Sequence, residues 1–203
     1  MTDEGWPPEL ERGMAGLTHV GEGRSGDVAV FAAAPRGGLV AVIDGLGHGD
    51  AAADAAETAA AIVREDAALE PQCLLERCHE ALRRTRGAVM TLAWFDVEAA
   101  EMAWTGVGNV EARLVRAGRR PVSPVVLGGV VGYNLPNVRL TTVALEPADA
   151  IVFATDGIAA DYSEVVEPGV GAQELADRVL ERYGKGTDDA LAAAVRYVPE
   201  GAR

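Results

Sequence analysis

The chain has no uninterrupted apolar run approaching the roughly 18 residues that would suggest a membrane span, so no membrane-crossing helix is expected. Its start, Met1 to Gly16, carries Trp6, Pro7, Pro8 and several acids. It has no basic opening, no apolar stretch and no small-residue cleavage site, so no signal peptide is evident and the expected location is cytoplasmic. Cysteine is nearly absent. Cys73 and Cys78 are the only two, and a five-residue spacing puts them on different faces of one expected helix. Together with His79 they fall short of the four ligands a zinc site usually needs, and they read as ordinary buried thiols. Basic residues are outnumbered, 18 Lys plus Arg against 31 Asp plus Glu, for a net charge of −13. Such a chain repels phosphate backbones and anionic membranes, so neither nucleic acid nor membrane is an expected partner. Repeats and Pro/Gly/Ser-rich linkers are missing too. The expectation is one domain over residues 1–203, with 1–16 loosely ordered, and nothing in the sequence speaks to oligomeric state.

What the chain does have is apolar content, 49% of 203 residues, enough for one sizeable core. Its 24 glycines mostly separate short apolar runs, as in turn-rich β structure. Val28–Ala33 and Leu39–Ile43 read as a hairpin across Pro35-Arg36-Gly37-Gly38. An Ala-rich stretch from Gly49 to about Arg64 reads as a helix. Pro71 and Gly87 bracket a second over Gln72–Arg86, with Leu74, Leu75, Cys78 and Leu82 inward. Strands are expected at Val89–Phe95, Met102–Thr105 and Glu111–Val115, the last two joined by a tight turn at Gly106-Val107-Gly108-Asn109. Further strands are expected at Val125–Tyr133, Val138–Leu145 and Ala150–Ala154, and a helix at Ala172–Tyr183. For Ala190–Val198, propensity favours helix. The pattern predicts an α+β sandwich, antiparallel sheets flanked by helices.

A local design recurs. The apolar runs Leu39–Ile43 and Ala150–Ala154 end at the only two Asp-Gly pairs, Asp44-Gly45 and Asp156-Gly157. A carboxylate there sits at the rim of a sheet, and the glycine lets the backbone turn and offer its carbonyl. Conversely, Asp27 precedes Val28–Phe31, and Asp188 and Asp189 precede Ala190. In antiparallel sheets strand ends lie beside strand starts, so these acids can share one edge. Crowded carboxylates raise one another's pKa unless cations compensate. All-oxygen ligands suit Mg²⁺ or Mn²⁺ better than zinc. A pair of such ions about 3.5–4 Å apart can lower the pKa of a bridging water and clamp phosphoryl oxygens. Taken singly, each Asp-Gly pair reads first as a plain turn.

The segments Ser25-Gly26-Asp27, Ile43-Asp44-Gly45-Leu46-Gly47-His48-Gly49, Thr105-Gly106-Val107-Gly108-Asn109, Glu146 to Ile158 and Thr187-Asp188-Asp189 occur in an order that resembles the type 2C metal-dependent protein phosphatases (PPM). Among these they are most similar to the bacterial SpoIIE-like serine phosphatases. The short length and the Val131-Gly132-Tyr133-Asn134-Leu135-Pro136 segment look like the small, sensor-free members that act on the stressosome. The resemblance covers about Gly21 to Val198. It implies a four-layer α-β-β-α sandwich with two Mn²⁺ or Mg²⁺ ions at one end, and a strand rather than a helix at the final segment. Asp44 would bridge both metals, Gly45 would offer its carbonyl, Asp156 and Asp188 would complete the second site, and Asp27 would act through waters. The activity implied is hydrolysis of phosphoserine or phosphothreonine by an activated water. The partner implied is a phosphorylated STAS-domain regulatory protein, either a stressosome scaffold or an anti-sigma-factor antagonist.

The sequence also departs from the family. Eukaryotic relatives carry a histidine directly after the Asp-Gly pair, where this chain has Leu46, with His48 two residues later. His48 can supply the leaving-group proton or simply bond locally. The family's phosphate-binding arginine has no aligned counterpart; Arg24, nearby at another offset, is the candidate to bind phosphate, though a solvated loop arginine is the commoner role for such a residue. Glu22 and Asp189 are candidate outer acids, Asn109 is explained by its turn, and His19 is structural. Two other readings stand beside the phosphatase: a non-catalytic phosphoprotein-binding module, and a small-molecule phosphomonoesterase on the same metals. A covalent-aspartate phosphatase is disfavoured, because neither Asp44 nor Asp156 has a second Asp two residues on.

Overall fold

The computed structural model describes residues 5–162, 167 and 169–201. Ten strands and three helices occur among them, in the order β1 (Leu10–Leu17), β2 (Asp27–Ala34), β3 (Gly37–Gly45), α1 (Asp50–Glu65), α2 (Pro71–Leu82), β4 (Ala88–Asp96), β5 (Glu101–Val107), β6 (Glu111–Val115), β7 (Val126–Leu127), β8 (Thr141–Ala144), β9 (Ala150–Ala154), α3 (Ala172–Tyr183) and β10 (Ala190–Tyr197). One sheet runs β1-β10-β9-β6. The other runs β2-β3-β4-β5-β7, with β8 also paired to β5.

Strand alternation builds the layers. On β3, Leu39, Ala41 and Ile43 face α1 and α2, where they meet Ala55, Ala59, Val63, Leu75 and Leu82. The intervening Val40 and Val42 face the other sheet and pack with Phe95, Trp104, Ile151 and Phe153. On β10, Leu191, Ala193 and Val195 join that inter-sheet core. Ala190, Ala192 and Ala194 turn the other way, onto Leu175, Ala176 and Val179 of α3. The result is the expected α-β-β-α sandwich. The alanines of α1 and β10 are what let helices lie close on the sheets.

Several local expectations are corrected. β1 occupies residues expected to be loose and pairs with β10 along its whole length, from Leu10↔Tyr197 to Leu17↔Ala190. Its charged Glu11 and Arg12 and its two glycines hide the alternation. Residues 1–4 lie outside the described residues. The segment 106–109 is no hairpin, since β5 and β6 belong to different sheets and the chain crosses the sandwich there. The left-handed residue in that crossing is Gly108, φ 101°, rather than Asn109. The long strand expected at Val125–Tyr133 shrinks to β7, which runs parallel to β5. Thr141–Ala144 is all that remains of Val138–Leu145. Helix α2 stops at Leu82 because Thr85 turns back on it, with both its backbone N–H and its hydroxyl donating to the Leu82 carbonyl. Ala190–Tyr197 is a strand, as the resemblance implied, because tertiary pairing on both edges outweighs helix propensity. Cys78 is buried, but Cys73 is exposed, on the other side of α2. His79 accepts a hydrogen bond from the Gly132 N–H at 2.9 Å.

β1 crosses α3 so closely that a Cβ on Gly13 would stand 2.2 Å from the Gln173 Cα and 2.4 Å from its nitrogen. Both obstacles are backbone, so relief requires the helix to move. Gly13→Ala should therefore lose on the order of 1–3 kcal/mol of stability, the usual cost of overpacking. Urea denaturation checks this, and a midpoint equal to that of the parent chain would contradict the contact.

Candidate active site

The alternation that fills the inter-sheet core also ends it in acid. Two residues beyond Val42, Asp44 takes the same face of β3, and Asp27 opens the same face of β2, ahead of Ala29 and Phe31. Asp27 and Asp44 lie directly opposite each other in the β2–β3 register. On the next rung the Gly45 N–H donates to the Gly26 carbonyl at 3.0 Å, which leaves the two aspartates on the close, non-hydrogen-bonded rung. Like charges placed so are destabilising. From the other sheet, the inward register of β9 reaches Thr155 and that of β10 reaches back to Asp189. Thr155 Oγ1 donates to Asp27 Oδ2 at 2.6 Å, tying the two sheets together.

Asp27, Asp44, Asp156, Asp188 and Asp189 line one cleft of about 360 Å³, with His48 and Asn109 on its wall. The carboxylates differ in what already holds them. Asp189 is buried and accepts the His19 N–H at 2.8 Å and the Gly26 N–H at 2.7 Å, one on each oxygen. It therefore clamps the segment before β2 onto β10 and is spent as a ligand, the contact at His19 being to its backbone. Asp156 accepts from Asn109 Nδ2 at 3.1 Å, and its backbone carbonyl accepts from Lys185 Nζ at 2.6 Å. Asn109 is thus an orienting residue, a role its placement in an expected turn concealed. Asp188 caps the Asp189 N–H at 2.9 Å.

The two glycines after Asp44 and Asp156 earn their place by close approach. Neither has a positive φ. A Cβ on Gly45 would stand 2.1 Å from the Ala52 carbonyl oxygen, and one on Gly157 2.0 Å from that of Asp189. His48 Nδ1 lies 2.8 Å from Glu22 Oε1, so the expected outer acid Glu22 pairs with the expected proton donor. Arg24 stands apart. It is exposed, pairs with Asp54 on α1 at 2.6 Å and does not line the cleft, because the α1 carboxylate draws it away.

Burial pushes the Asp44 carboxyl up to about 8, with the charges of Asp27, Asp156, Asp188 and Asp189 adding in the same direction. Burial also pushes Asp27 up to about 7; the Thr155 hydrogen bond opposes this and the neighbouring acids reinforce it. Among the described residues no three His, Cys, Asp or Glu side chains already close into a cage. The donors instead ring an open cleft, which suits hard cations that keep several waters. A set of oxygen-only donors, two of which resist ionisation until positive charge arrives, fits Mg²⁺ or Mn²⁺.

Two sheets face to face between helices, with an acid-lined cleft at one end, define the fold of the PP2C phosphatases. A structure of RsbX in complex with magnesium superposes with a TM-score of 0.85 at 21% identity, covering 94% of this chain and 96% of that one. A structure from work on the bacterial stressosome as a modular system controlling secondary messenger signalling gives 0.85 at 29%, covering 92% and 99%. The catalytic domain of the serine/threonine phosphatase PstP with two manganese ions gives 0.68 at 16%, covering 94% and 99%. In sequence, the phosphoserine phosphatase RsbX of Bacillus subtilis (strain 168) is 25% identical over 173 residues, 84% of this chain and 86% of its own. Residues 35–202 match the Stage II sporulation protein E (SpoIIE) family model, and the chain belongs to that family.

The raised carboxyls have a thermodynamic consequence. Asp27 and Asp44 bind a proton more tightly folded than unfolded, where their ordinary value is 3.8. Folding therefore takes up protons between about pH 4 and 8, and the metal-free protein should lose stability as pH rises through that window. Mn²⁺ at about 100 times its Kd and pH 8 should raise Tm by roughly 5–10 °C. Metal-free Asp44→Asn should melt above the metal-free parent at pH 8 and gain far less from Mn²⁺. Melting curves at pH 5 and pH 8, with and without the ion, check each sign.

Proposed function

We propose that this chain is a cytoplasmic, metal-dependent protein serine/threonine phosphatase that hydrolyses phosphoserine or phosphothreonine on a regulatory protein. The observation that carries the reading is the meeting of Asp44, Asp156 and Asp188 in one cleft beside the buried Asp27, an arrangement that calls for compensating cations. The magnesium in the RsbX structure and the two manganese ions of PstP support two Mn²⁺ or Mg²⁺ ions. Asp44, the Gly45 carbonyl, Asp156 and Asp188 would hold them, with Asp27 as a further acid of the same cleft. When bound, the pair supplies an acidified water and positive charge for the phosphoryl oxygens.

The chain's own groups do the remaining work. Asn109 and Lys185 hold the Asp156 segment in place, and Asp189 and Thr155 fix the two sheet edges against each other. Glu22 takes the Nδ1 side of His48, which leaves Nε2 of this cleft-wall residue free to hand a proton to the departing seryl oxygen. Likeness to RsbX and to the stressosome structure supports a narrower reading of the partner, a phosphorylated STAS-domain protein.

The test is phosphate release from a phosphoserine protein and from an aryl phosphate. Release should depend on Mn²⁺, stop with EDTA and fall at least about a hundredfold in Asp44→Asn. Hydrolysis of the aryl phosphate alone would favour the small-molecule reading, and no hydrolysis of either would favour a binding module. Wild-type rates in Asp44→Asn would remove Asp44 from the reaction.

A further inference from the structure

Arg24, the arginine expected to meet the phosphate, is committed to Asp54 on α1. A second arginine, Arg86, does not line the cleft but lies against one of its wall residues. Gly47 lines the cleft between Asp44 and His48, and a Cβ built on it would lie 2.4 Å from Nη1 of Arg86 and 3.6 Å from its Cζ. The guanidinium therefore rests directly on the Cα of the loop that carries both functional side chains. Gly47 has φ 92°, and any side chain there would evict the arginine.

The attachment is rigid on both sides. The Leu46 N–H donates to the carbonyl of Gly87, the residue after Arg86, at 3.0 Å. The Gly87 N–H donates to Thr85 Oγ1 at 3.0 Å, and that hydroxyl holds the end of α2. Ala88 and Val131 then exchange a pair of backbone hydrogen bonds. The turn 83–87 is thus pinned to the Asp44 loop, to α2 and to the 130–134 turn at once. Arg86 is exposed, and among the described residues it has neither an ion-pair nor a hydrogen-bond partner. A fork of five donors, held against a wall residue of an acidic cleft and without a partner among the described residues, is arranged for an anion that arrives from outside. Cations within the cleft would saturate the aspartates, so the anion left for Arg86 is the phosphoryl group of the substrate.

We infer that Arg86 binds the phosphoryl oxygens of the phosphorylated side chain from beside the Asp44–His48 loop, taking the place that Arg24 does not fill. This rests on the phosphatase reading above. It makes the α2–β4 turn, rather than the segment before β2, the source of the phosphate-binding cation. It also accounts for glycine at position 47.

The experiment compares the parent chain with Arg86→Ala, Arg86→Lys and Arg24→Ala, all loaded with Mn²⁺. It measures kcat and KM on a phosphoserine peptide, and the affinities for inorganic phosphate and for Mn²⁺ by calorimetry. Arg86→Ala should raise KM and the phosphate Kd by about tenfold or more, the scale of one charge-assisted hydrogen bond. Its Mn²⁺ affinity and Tm should stay within about twofold and about 2 °C of the parent. Arg86→Lys should fall in between, keeping the charge but losing the fork. Unchanged phosphate affinity in Arg86→Ala, or a larger loss in Arg24→Ala, would overturn the assignment. A parent chain that binds phosphate but hydrolyses nothing would sink the phosphatase reading and leave the phosphate site standing.

Discussion

Asp27 and Asp44 face each other across one rung of an antiparallel ladder, partly buried, with three more aspartates around the same cleft. Such an arrangement is unfavourable on its own terms. Burial raises the cost of each charge, and each charge raises the cost of the next. The rest of the sandwich keeps these groups from spreading apart: the β2–β3 hairpin fixes one pair, Thr155 ties Asp27 to the other sheet, and Asp189 ties the segment before β2 to β10. A fold that holds carboxylates together against their repulsion has stored affinity for whatever cation relieves it.

The division of labour among the acids follows from strand register. Asp189 continues the inward face of β10 and spends both oxygens on backbone N–H groups. Asp188, one residue earlier, keeps its second oxygen for the cleft. Adjacent aspartates thus do different things because side chains alternate along a strand. The same logic separates Glu22 from Arg24. One pairs with His48 at the cleft, and the other is drawn to the exposed face of α1.

Much of the cleft was legible in the residues. The ends of apolar runs at Asp44 and Asp156, and the starts after Asp27 and before Ala190, marked a common edge, and the family resemblance put them in order. Asn109 was misread because a Gly-Val-Gly-Asn string looks like a hairpin turn, whereas here it is a crossing between sheets that delivers its side chain to Asp156. β1 was missed because Glu11, Arg12 and Gly13 break its apolar pattern. Arg86 left no mark, since nothing in its neighbourhood along the chain says that Gly47, far away in sequence, lies beneath it.

By itself, then, the sequence determined the layered α+β character, the apolar runs that become central strands, and the acidic residue types at their ends. Those features depend on composition and short-range periodicity, which a chain carries before it folds. The tertiary structure alone decided which sheet each strand joined, which aspartates keep free oxygens, and which arginine lies against the cleft-wall residue Gly47. Each of those depends on contacts between residues far apart in the chain. Their free energies of burial and repulsion have no value until the two sheets close on each other.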